Sequence, residues 1–309
     1  MKEISVVIPV YNSMENLPEL CSRLVAALQG LDSELILVND GSRDRSWEVI
    51  KELARVHSFL TGVDLRRNHG QDNAIMAGLS LASGAYVVIM DDDLQHSPAD
   101  VPLLLAKAKE GFDAVYARFT HKRHALWKRM GSWMNGKAAE WLLHKPPGLY
   151  LSPFQIIRGS VIQEIIKYRG PYPYVQGLLL NLTRNLAEVK VSHYPRFRGK
   201  SNFSLIRSMA VFFKLATSFS IIPLRIVSVT GMSAAVIGFS LAIYYLFQYF
   251  ALDSIVEGWT TLVTLFLTLG GLILLSLGLI GEYLGRIYLT VNGKPQYAIR
   301  ETVGRSAAS

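Results

Sequence analysis

The sequence is short of cysteine, of charge and of glycine-rich phosphate loops, and each shortage excludes a class of protein. The single Cys21 rules out a disulfide framework, and on a predicted helix it is interpreted as a small core residue rather than a nucleophile. Neither Gly-x-Gly-x-x-Gly nor Gly-Lys-Ser/Thr occurs, which counts against a dinucleotide enzyme and a P-loop NTPase. Met1-Lys2-Glu3 leads straight into an apolar strand, so no secretory signal peptide is predicted and the large N-terminal part is expected in the cytoplasm.

Charged residues make up 18% of the chain and are missing from two long apolar stretches near its C-terminus. Ile226 to Leu252 and Gly258 to Gly281 carry none; as helices they would be about 40 and 36 Å long, enough to cross a ~30 Å hydrocarbon core. We predict two transmembrane helices. The alternative is a pair of buried helices in a soluble core.

The charges around these stretches predict their orientation. The link between them holds Asp253 and Glu257 and no base, whereas basic residues flank the outer ends. By the positive-inside rule both chain ends face the cytoplasm and the link faces outward. The flanking bases are Arg207, Lys214, Arg225, Arg286, Lys294, Arg300 and Arg305.

The formal net charge of +8 would suit nucleic acid, anionic lipid or a phosphorylated substrate. Between Arg118 and Lys145, basic residues are interleaved with Trp127, Trp133 and Trp141. This composition is typical of helices on a membrane surface, and an ordinary solvated basic helix is the alternative. Two predicted spans in the same chain favour the membrane surface, and no nucleic-acid partner is expected.

Short apolar runs alternate with helical periodicity from residue 4 to 117, which predicts βαβ units and a parallel sheet in an α/β fold. Candidate strands are Ile4 to Pro9, Glu34 to Asn39, Thr61 to Asp64, Ala85 to Met90 and Ala114 to Ala117. Candidate helices are Glu15 to Leu28, Ser46 to Val56, Asp72 to Leu81 and Ala99 to Lys109. Residues 118 to 202 are mixed, and Phe203 to Phe219 is a further amphipathic stretch.

Three adjacent aspartates follow the fourth of these strands, in the run Asp91-Asp92-Asp93-Leu94-Gln95. Ligands of open α/β sheets collect beyond the carboxyl ends of the strands, and alternation places Asp91 and Asp93 on one side and Asp92 on the other. Carboxylate and amide oxygens suit Mg²⁺ or Mn²⁺, which bridge a protein to a diphosphate. The alternative is a solvated acidic turn that caps the next helix.

Two loops at the same sheet edge provide what a nucleotide needs. Pro9-Val10-Tyr11-Asn12 and Asn39-Asp40-Gly41-Ser42 offer an aromatic wall, a carboxylate and a glycine for close backbone approach. Arg66-Arg67-Asn68-His69-Gly70 adds basic residues beyond the third strand. Taken alone, Asp40-Gly41-Ser42 is also compatible with a turn that caps the following helix.

Together these motifs and the paired spans resemble the family 2 glycosyltransferases that load sugars onto polyprenyl phosphates. This group includes dolichyl-phosphate mannose synthases, bactoprenol glucosyltransferases and undecaprenyl-phosphate aminoarabinose transferases. The resemblance extends to Pro223-Leu224-Arg225 and to Gly281-Glu282-Tyr283-Leu284-Gly285-Arg286. It implies a Rossmann-like glycosyltransferase A-type domain at residues 1–202, an amphipathic juxtamembrane helix at 203–225, a transmembrane hairpin at 226–286 and a cytoplasmic tail at 287–309. A bacterial inner (cytoplasmic) membrane is the expected location.

The resemblance also implies roles for individual residues. Asp91 and Asp93 would be catalytic and, with Gln95, would bind Mg²⁺ or Mn²⁺. The nucleotide contacts would be Pro9, Tyr11, Asn12, Asp40, Gly41, Ser42, Arg67, Asn68 and Asp92. The acceptor-phosphate contacts would be Arg118, Arg196, Arg198, Lys200 and Ser201, although the segment from Arg196 could instead be a basic stretch that only attracts lipid.

The chain departs from the family pattern at four places. Ser13 replaces a common Glu, Gln71 a common Lys, and Asn202 the Lys of the last motif. Many relatives carry Gly-Asp-Phe-Arg where this chain has Ser152-Pro153-Phe154-Gln155, so a proposed catalytic carboxylate is absent. An alcohol acceptor would need such a base, but a phosphate monoester, with a second pKa near ~6, is already anionic at neutral pH.

The sequence therefore predicts inverting transfer of a sugar from a nucleotide diphosphate, UDP-linked in our interpretation, to polyprenyl (undecaprenyl) phosphate at the cytoplasmic membrane face. The expected partners are the nucleotide sugar, the lipid phosphate and the bilayer. A homo-oligomer is compatible with the close helix contacts that Gly231, Gly238, Gly270 and Gly271 would permit. Two alternatives stay open: a catalytically silent membrane adaptor, supported by the four departures, and a processive polysaccharide synthase, disfavoured because Gln-x-x-Arg-Trp is missing.

Overall fold

The computed structural model describes residues 2–119, 145–146, 148–170, 172–191, 222–252 and 258–304. The chain divides into two compact units. The first comprises Met1–Ser204 together with Gly293–Ser309, and the second comprises Leu205–Asn292. The catalytic motifs predicted above that fall on described residues all lie in the first unit.

One mixed sheet of eight strands organises the first unit. The strands are β1 (Ile4–Val10), β2 (Ser33–Asn39), β3 (Leu60–Leu65), β4 (Tyr86–Ile89), β5 (Ala114–Phe119), β6 (Gln155–Arg158), β7 (Leu186–Val191) and β8 (Ile299–Gly304). Their order is β7-β5-β6-β4-β1-β2-β3-β8. The four central strands β4, β1, β2 and β3 are parallel, so their carboxyl ends share one edge. β7 is parallel to β5, whereas β6 and β8 run antiparallel to their neighbours.

Helices cover both faces of this sheet because its central strands are apolar on both sides. The helices are α1 (Leu17–Ala27), α2 (Ser46–Val56), α3 (Gln71–Leu79), α4 (Val101–Lys109), α5 (Gly159–Ile165) and α6 (Val175–Leu182), and a 3-10 turn (Pro98–Asp100) precedes α4. Apolar residues of α1, α2 and α4 form one core layer with the sheet, and those of α3, α5 and α6 form the other.

The predicted α/β fold with a mostly parallel sheet is confirmed. Each of the five predicted strands forms, and their ends differ from prediction by at most two residues. The interpretation of Cys21 also holds, since the residue is buried in the core and burial raises the pKa of its thiol to about 11. A thiol of that pKa is a poor nucleophile at neutral pH.

Strand β8 lies within residues 287–309, the predicted cytoplasmic tail. It pairs antiparallel with β3 and extends the sheet beyond that strand. Residues that follow the apolar helices therefore complete the same sheet that the N-terminal residues begin. Four-residue β6 and the following β7 lie in the region called mixed above, where no strand was assigned.

Two long apolar helices make up the described part of the second unit, α7 (Ile222–Leu252) and α8 (Trp259–Val291). Leu224–Leu241 in α7 and Thr268–Val291 in α8 are long and apolar enough to cross a membrane, and neither window is buried. Phe239 and Phe266 are 72% and 76% exposed, which a soluble core helix would not tolerate. Helix α8 continues ten residues past the predicted end at Gly281 and carries an ion pair between Glu282 and Arg286.

Some predictions fall on parts of the chain outside the described residues. These are the amphipathic stretch Phe203 to Phe219, most of the basic segment 118–145, the link residues Asp253 and Glu257, the flanking bases Arg207, Lys214 and Arg305, and the acceptor residues Arg196, Arg198, Lys200 and Ser201.

Candidate active site

Four loops follow the carboxyl ends of the parallel strands β1, β2, β3 and β4, and the sheet order places these ends side by side. The first two loops carry the predicted nucleotide contacts, the third carries Arg67 and Asn68, and the fourth carries the acidic triplet. The structure therefore brings the predicted donor and metal residues to one sheet edge, at the position where open α/β sheets bind ligands.

The loops after β1 and β2 are fastened to each other by Asn12. Its backbone N–H donates to Ser42 Oγ at 3.0 Å, and its Oδ1 accepts from the N–H of Arg43 at 2.8 Å. Asn12 has a positive φ of 53°, a conformation that Asn adopts more readily than most residues. Tyr11 beside it is 45% exposed, so its ring is available as a wall for a planar base.

A second set of hydrogen bonds joins the same two loops. Asp44 accepts from the N–H of Met14 at 3.1 Å and from Ser46 Oγ at 2.5 Å. Ser46 Oγ in turn accepts from the N–H of Ser13 at 3.0 Å. These contacts hold the β1 loop in place before any ligand arrives, which reduces the entropy lost on binding.

Asp40 connects the β2 loop to the β3 loop. It is buried, and its two carboxylate oxygens accept from the N–H groups of His69 at 2.7 Å and Gly70 at 2.9 Å. Hydrogen bonds to an ionised acceptor are among the stronger ones in proteins. Each carboxylate oxygen has a second lone pair, so this role is compatible with the predicted contact to a base or ribose.

Gly41 is required where the β2 and β3 loops meet. Its φ is +62°, and a Cβ at this position would lie 2.6 Å from both the carbonyl carbon of Arg67 and the backbone nitrogen of Asn68. The side chains of Arg67 and Asn68 are exposed beside this contact. The glycine thus permits the close approach of the β2 and β3 loops to each other, and its contact with a nucleotide stays a prediction.

The acidic triplet forms a tight turn next to the start of α3. Gln71 donates its side-chain N–H to Asp91 Oδ1 at 2.7 Å, and Asp93 Oδ1 accepts from the N–H of Gln95 at 3.1 Å. Leu94 has a positive φ of 59°, which turns the chain between Asp93 and Gln95. Gln71 thus contacts Asp91 through a neutral amide.

Asp92 has different neighbours from Asp91, as the strand alternation predicts. Burial raises the pKa of Asp92 to about 6, and this rise is opposed by hydrogen bonds from the side chain of Ser13 and the backbone of Tyr11. Asp92 therefore faces the β1 loop, whereas Asp91 faces α3. Ser13 contributes to this environment through its hydroxyl.

The donor set fits a hard divalent cation that is shared with a substrate. Within the described residues no three His, Cys, Asp or Glu side chains converge as a ready metal cage. Two carboxylates and an amide, Asp91, Asp93 and Gln95, are nevertheless the usual protein share of a Mg²⁺ site that is completed by phosphate oxygens and water.

His96 was not singled out from the sequence, and only its packing reveals it. The buried imidazole stacks between Phe119 (5.4 Å between ring centroids, 9° between planes) and Phe154 (5.3 Å, 14°). Its Nδ1 lies 3.5 Å from the backbone nitrogen of Asp91, which is a long hydrogen bond. The stack thus anchors the turn that carries the triplet against β5 and the start of β6.

Neutral polar side chains lie in and around the segment Ser152-Pro153-Phe154-Gln155. Gln155 lies directly opposite Tyr116 in the pairing of β6 with β5, and both side chains are buried. Among the described residues, neither Gln155 Oε1 nor the Tyr116 hydroxyl has a hydrogen-bond partner. Nearby, Gln176 donates to the carbonyl of Ser152 at 2.9 Å and accepts from the Tyr174 hydroxyl at 2.6 Å.

The tyrosines near Pro153 do not provide a general base at neutral pH. Burial raises the pKa of Tyr116 and of Tyr174 above the usual tyrosine range. Both phenols are therefore protonated at neutral pH and cannot replace the carboxylate that is missing at Pro153.

Arg118, the predicted acceptor residue that lies within the described chain, is held by a glutamate. Its Nη1 donates to Glu188 Oε2 at 2.9 Å, and Glu188 Oε1 accepts from the N–H of Tyr150. The Arg118 side chain remains 53% exposed, so an incoming anion could reach it. The structure places it on β5, two strands away from the acidic triplet that follows β4.

Comparison with known proteins agrees with this architecture. The family model described as glycosyl transferase family 2 matches residues 5–163. The chain is 35% identical over 318 residues to an undecaprenyl-phosphate 4-deoxy-4-formamido-L-arabinose transferase from Aeromonas hydrophila, covering 100% of this chain and 96% of the relative. The corresponding transferase of Proteus mirabilis is 33% identical over 309 residues, covering 98% and 95%.

Solved structures share the fold at low sequence identity. Glucosyl-3-phosphoglycerate synthase from Mycobacterium tuberculosis in complex with UDP superposes with a TM-score of 0.53 at 19% identity, over 71% of this chain and 79% of that one. The same enzyme with Mn²⁺, UDP and phosphoglyceric acid gives a TM-score of 0.53 at 20% identity, over 70% and 76%. The family match, the full-length relatives and the strand-end site lead to one conclusion: the chain is a glycosyltransferase and belongs to glycosyl transferase family 2.

Proposed function

We propose that this glycosyltransferase transfers a sugar from a nucleotide diphosphate, most simply UDP, to a polyprenyl phosphate at the cytoplasmic face of a membrane. The observation that carries the proposal is that the hydrogen-bonded loops after β1, β2 and β3 meet the acidic triplet at one sheet edge, in a chain that also has two exposed apolar helices. Relatives named for undecaprenyl phosphate support a polyprenyl phosphate as the acceptor.

Asp91, Asp93 and Gln95 would hold a divalent cation, which when bound supplies positive charge for the diphosphate that leaves. Tyr11 would stack on the base. Asp40 and the Arg66–Gly70 loop would contact the ribose and phosphates. The Mn²⁺- and UDP-bound neighbour has the same fold and is compatible with this arrangement.

The chemistry is a displacement at the anomeric carbon. An oxygen of the lipid phosphate forms the new bond, the bond to the nucleotide's terminal phosphate oxygen breaks, and its electron pair departs with the diphosphate. Attack opposite the leaving group inverts the configuration. The acceptor is already an anion, so the neutral groups around Pro153 are not an obstacle to this reaction.

Chain connectivity supports a hairpin in the membrane. Residues before α7 and residues after α8 belong to the same sheet, so two spans between them must leave and return on one side. The bases at the outer ends of the spans favour the cytoplasm for that side. We therefore propose an inner-membrane protein with its catalytic unit in the cytoplasm.

The test is an assay of the purified full-length protein with polyprenyl phosphate and either Mn²⁺ or Mg²⁺. The donors would be a panel of UDP- and GDP-linked sugars that includes 4-deoxy-4-formamido-L-arabinose. Formation of a lipid-phosphate-linked monosaccharide of inverted configuration is the expected product. Nucleotide binding without transfer from any donor would favour the alternative of a silent adaptor, for which the departure at Pro153 is the specific support.

The acceptor assignment has a separate test, because Arg196 and Lys200 are the predicted phosphate contacts. R196A and K200A are each expected to raise the KM for the lipid phosphate by about tenfold, with little change in the KM for the nucleotide sugar, since a charged hydrogen bond contributes ~1.5 kcal/mol or more. R55A, which removes an exposed cation from α2, is the control. Equal increases in both KM values would argue against the assignment.

A further inference from the structure

We infer that the C-terminal strand β8, acting through Arg300, is a positioning element of the donor site. This inference rests on the proposed function, because it concerns the loop that the proposal assigns to the nucleotide sugar. Its basis is a set of contacts between residues 296–304, which follow α8 in the chain, and the Arg66–Gly70 loop after β3.

Arg300 is the extra residue of a β-bulge. In the pairing of β3 with β8, Asp64 lies opposite Glu301 and Leu65 lies opposite Ile299, which leaves Arg300 without a partner on β3. Bulges re-aim a side chain and are common next to functional sites. Here Arg300 contacts both the end of β3 and the first residue of the following loop.

The first of these contacts is with a buried carboxylate. Arg300 Nη1 lies 3.3 Å from Asp64 Oδ2, an ion pair without the geometry of a hydrogen bond, and Asp64 is only 1% exposed. The other carboxylate oxygen of Asp64 accepts from the side-chain N–H of Asn39 at 2.7 Å. Asn39 is the last residue of β2 and directly precedes Asp40, so the ion pair reaches the β2 loop through one side chain.

The second contact is with the loop itself. Arg300 Nη2 donates to the carbonyl of Arg66 at 2.9 Å, and the N–H of Arg66 donates to the carbonyl of Ala298 at 2.8 Å. The backbone of Gln296 makes a hydrogen bond with His69. The C-terminal segment thus holds the loop at both its first and its fourth residue.

Gln296 extends the same segment to a further part of the unit. Its side-chain amide donates to the carbonyl of Tyr168 at 3.1 Å and to that of Gly170 at 2.7 Å. Tyr297 donates its hydroxyl to Ser80 Oγ at 3.1 Å, just beyond the end of α3. The segment is therefore fixed on more than one side before it meets the loop.

The Arg66–Gly70 loop is consequently held from two directions. Asp40 binds its last two N–H groups and Gly41 packs against its middle, while residues 296–300 hold its start and His69. The loop backbone is held by these contacts, and the side chains of Arg67 and Asn68 remain exposed beside the predicted nucleotide contacts. Loss of Arg300 would leave the Asp64 carboxylate buried without its cation and would release one side of the loop.

If β8 only stabilised the fold, a different result would be expected. In that case any substitution that weakens β8 would lower stability and leave the substrate requirements unchanged. Glu301 provides the matched control, because its carboxylate accepts from Trp47 Nε1 of α2 at 3.3 Å, and within the described residues no hydrogen bond or ion pair joins its side chain to the Arg66–Gly70 loop. R300A therefore removes an ion pair and a hydrogen bond at the end of β3, whereas E301A removes a hydrogen bond to α2 from the adjacent residue of the same strand.

The experiment uses the full-length protein in lipid nanodiscs. R300A is expected to raise the KM for the nucleotide sugar and the Kd for UDP by about tenfold, to leave the KM for the lipid phosphate unchanged, and to increase hydrogen exchange at the His69 and Gly70 amides. E301A should leave all these quantities near wild type. R300K, which retains the charge opposite Asp64, should restore part of the donor affinity.

The inference is overturned if R300A and E301A have the same effect on the donor KM and the UDP affinity, or if R300A changes the two KM values equally. If R300A does not fold, R300M, which keeps most of the side-chain length but not the charge, decides: wild-type UDP affinity and wild-type exchange at His69 and Gly70 in R300M would count against a positioning role. Failure of the proposed function is recognised separately, because it would appear as absent transfer by the wild-type protein while UDP binding still reports on Arg300.

Discussion

Replacing Asp93 with alanine is expected to reduce sugar transfer by at least about a hundredfold, or ~2.7 kcal/mol of transition-state stabilisation, while the protein stays in the membrane fraction. Asp93 is one of two carboxylates assigned to the cation, and its removal would weaken binding of the cation that would neutralise the departing diphosphate. Its Oδ1 accepts the N–H of Gln95, so a local change in the turn is expected but no loss of the core.

The measurement is the initial rate at saturating nucleotide sugar and lipid phosphate, over a range of Mn²⁺ and Mg²⁺ concentrations. D32A is the control. Asp32 lies just before β2, at the opposite sheet edge, and its exposed carboxylate forms an ion pair with Lys2. Partial recovery of D93A at high metal concentration would strengthen the assignment. Wild-type turnover in D93A would refute the assignment of Asp93 to the cation.

The second large effect is expected at Gly41. G41A should lower the free energy of unfolding by about 3 kcal/mol or more and should weaken UDP binding by at least about tenfold. The added Cβ would lie 2.6 Å from backbone atoms of both Arg67 and Asn68, which cannot turn away as the end of a side chain could. The Arg66–Gly70 loop would have to move, and with it the two N–H groups that Asp40 binds.

Gly30 offers a matched control for this substitution. It too has a positive φ, +84°, but a Cβ there would meet nothing within 4 Å. G30A should therefore show the conformational strain alone, about 1 kcal/mol, and normal UDP affinity. Chemical unfolding and titration with UDP measure both quantities, and equal behaviour of the two variants would refute the role assigned to Gly41.

The N-terminal half of the fold was predictable because its signals are local. Each of β1 to β5 is an apolar run bounded by polar residues, and the helices between them have periodic apolar faces. The strands β6 and β8 carry no comparable signal. β6 has four residues and β8 reads Ile-Arg-Glu-Thr-Val-Gly, so both depend on partners that are distant in the chain.

The candidate site divides in the same way. The acidic triplet, Tyr11 and Gly41 stand out in the sequence because residue type and position after a strand already limit their chemistry. The aromatic stack around His96 and the contact of Gln71 with Asp91 do not, since they join residues whose separation in sequence says nothing about their proximity. The sequence signal that could have pointed to the aromatic stack is the lone His96 next to the acidic turn.

By itself the sequence determined the α/β class, the parallel strands and their order along the chain, the residue types at the strand ends from which the donor and metal contacts are predicted, and two helices apolar enough for a membrane. Only the tertiary structure decided that the Asp40 carboxylate binds the His69 and Gly70 amides, that Arg118 is paired with Glu188, and that residues 299–304 complete the sheet. The physical reason is range. Strand and helix patterns repeat over a few residues, whereas a hydrogen bond or ion pair between distant segments depends on where the whole fold places its two partners.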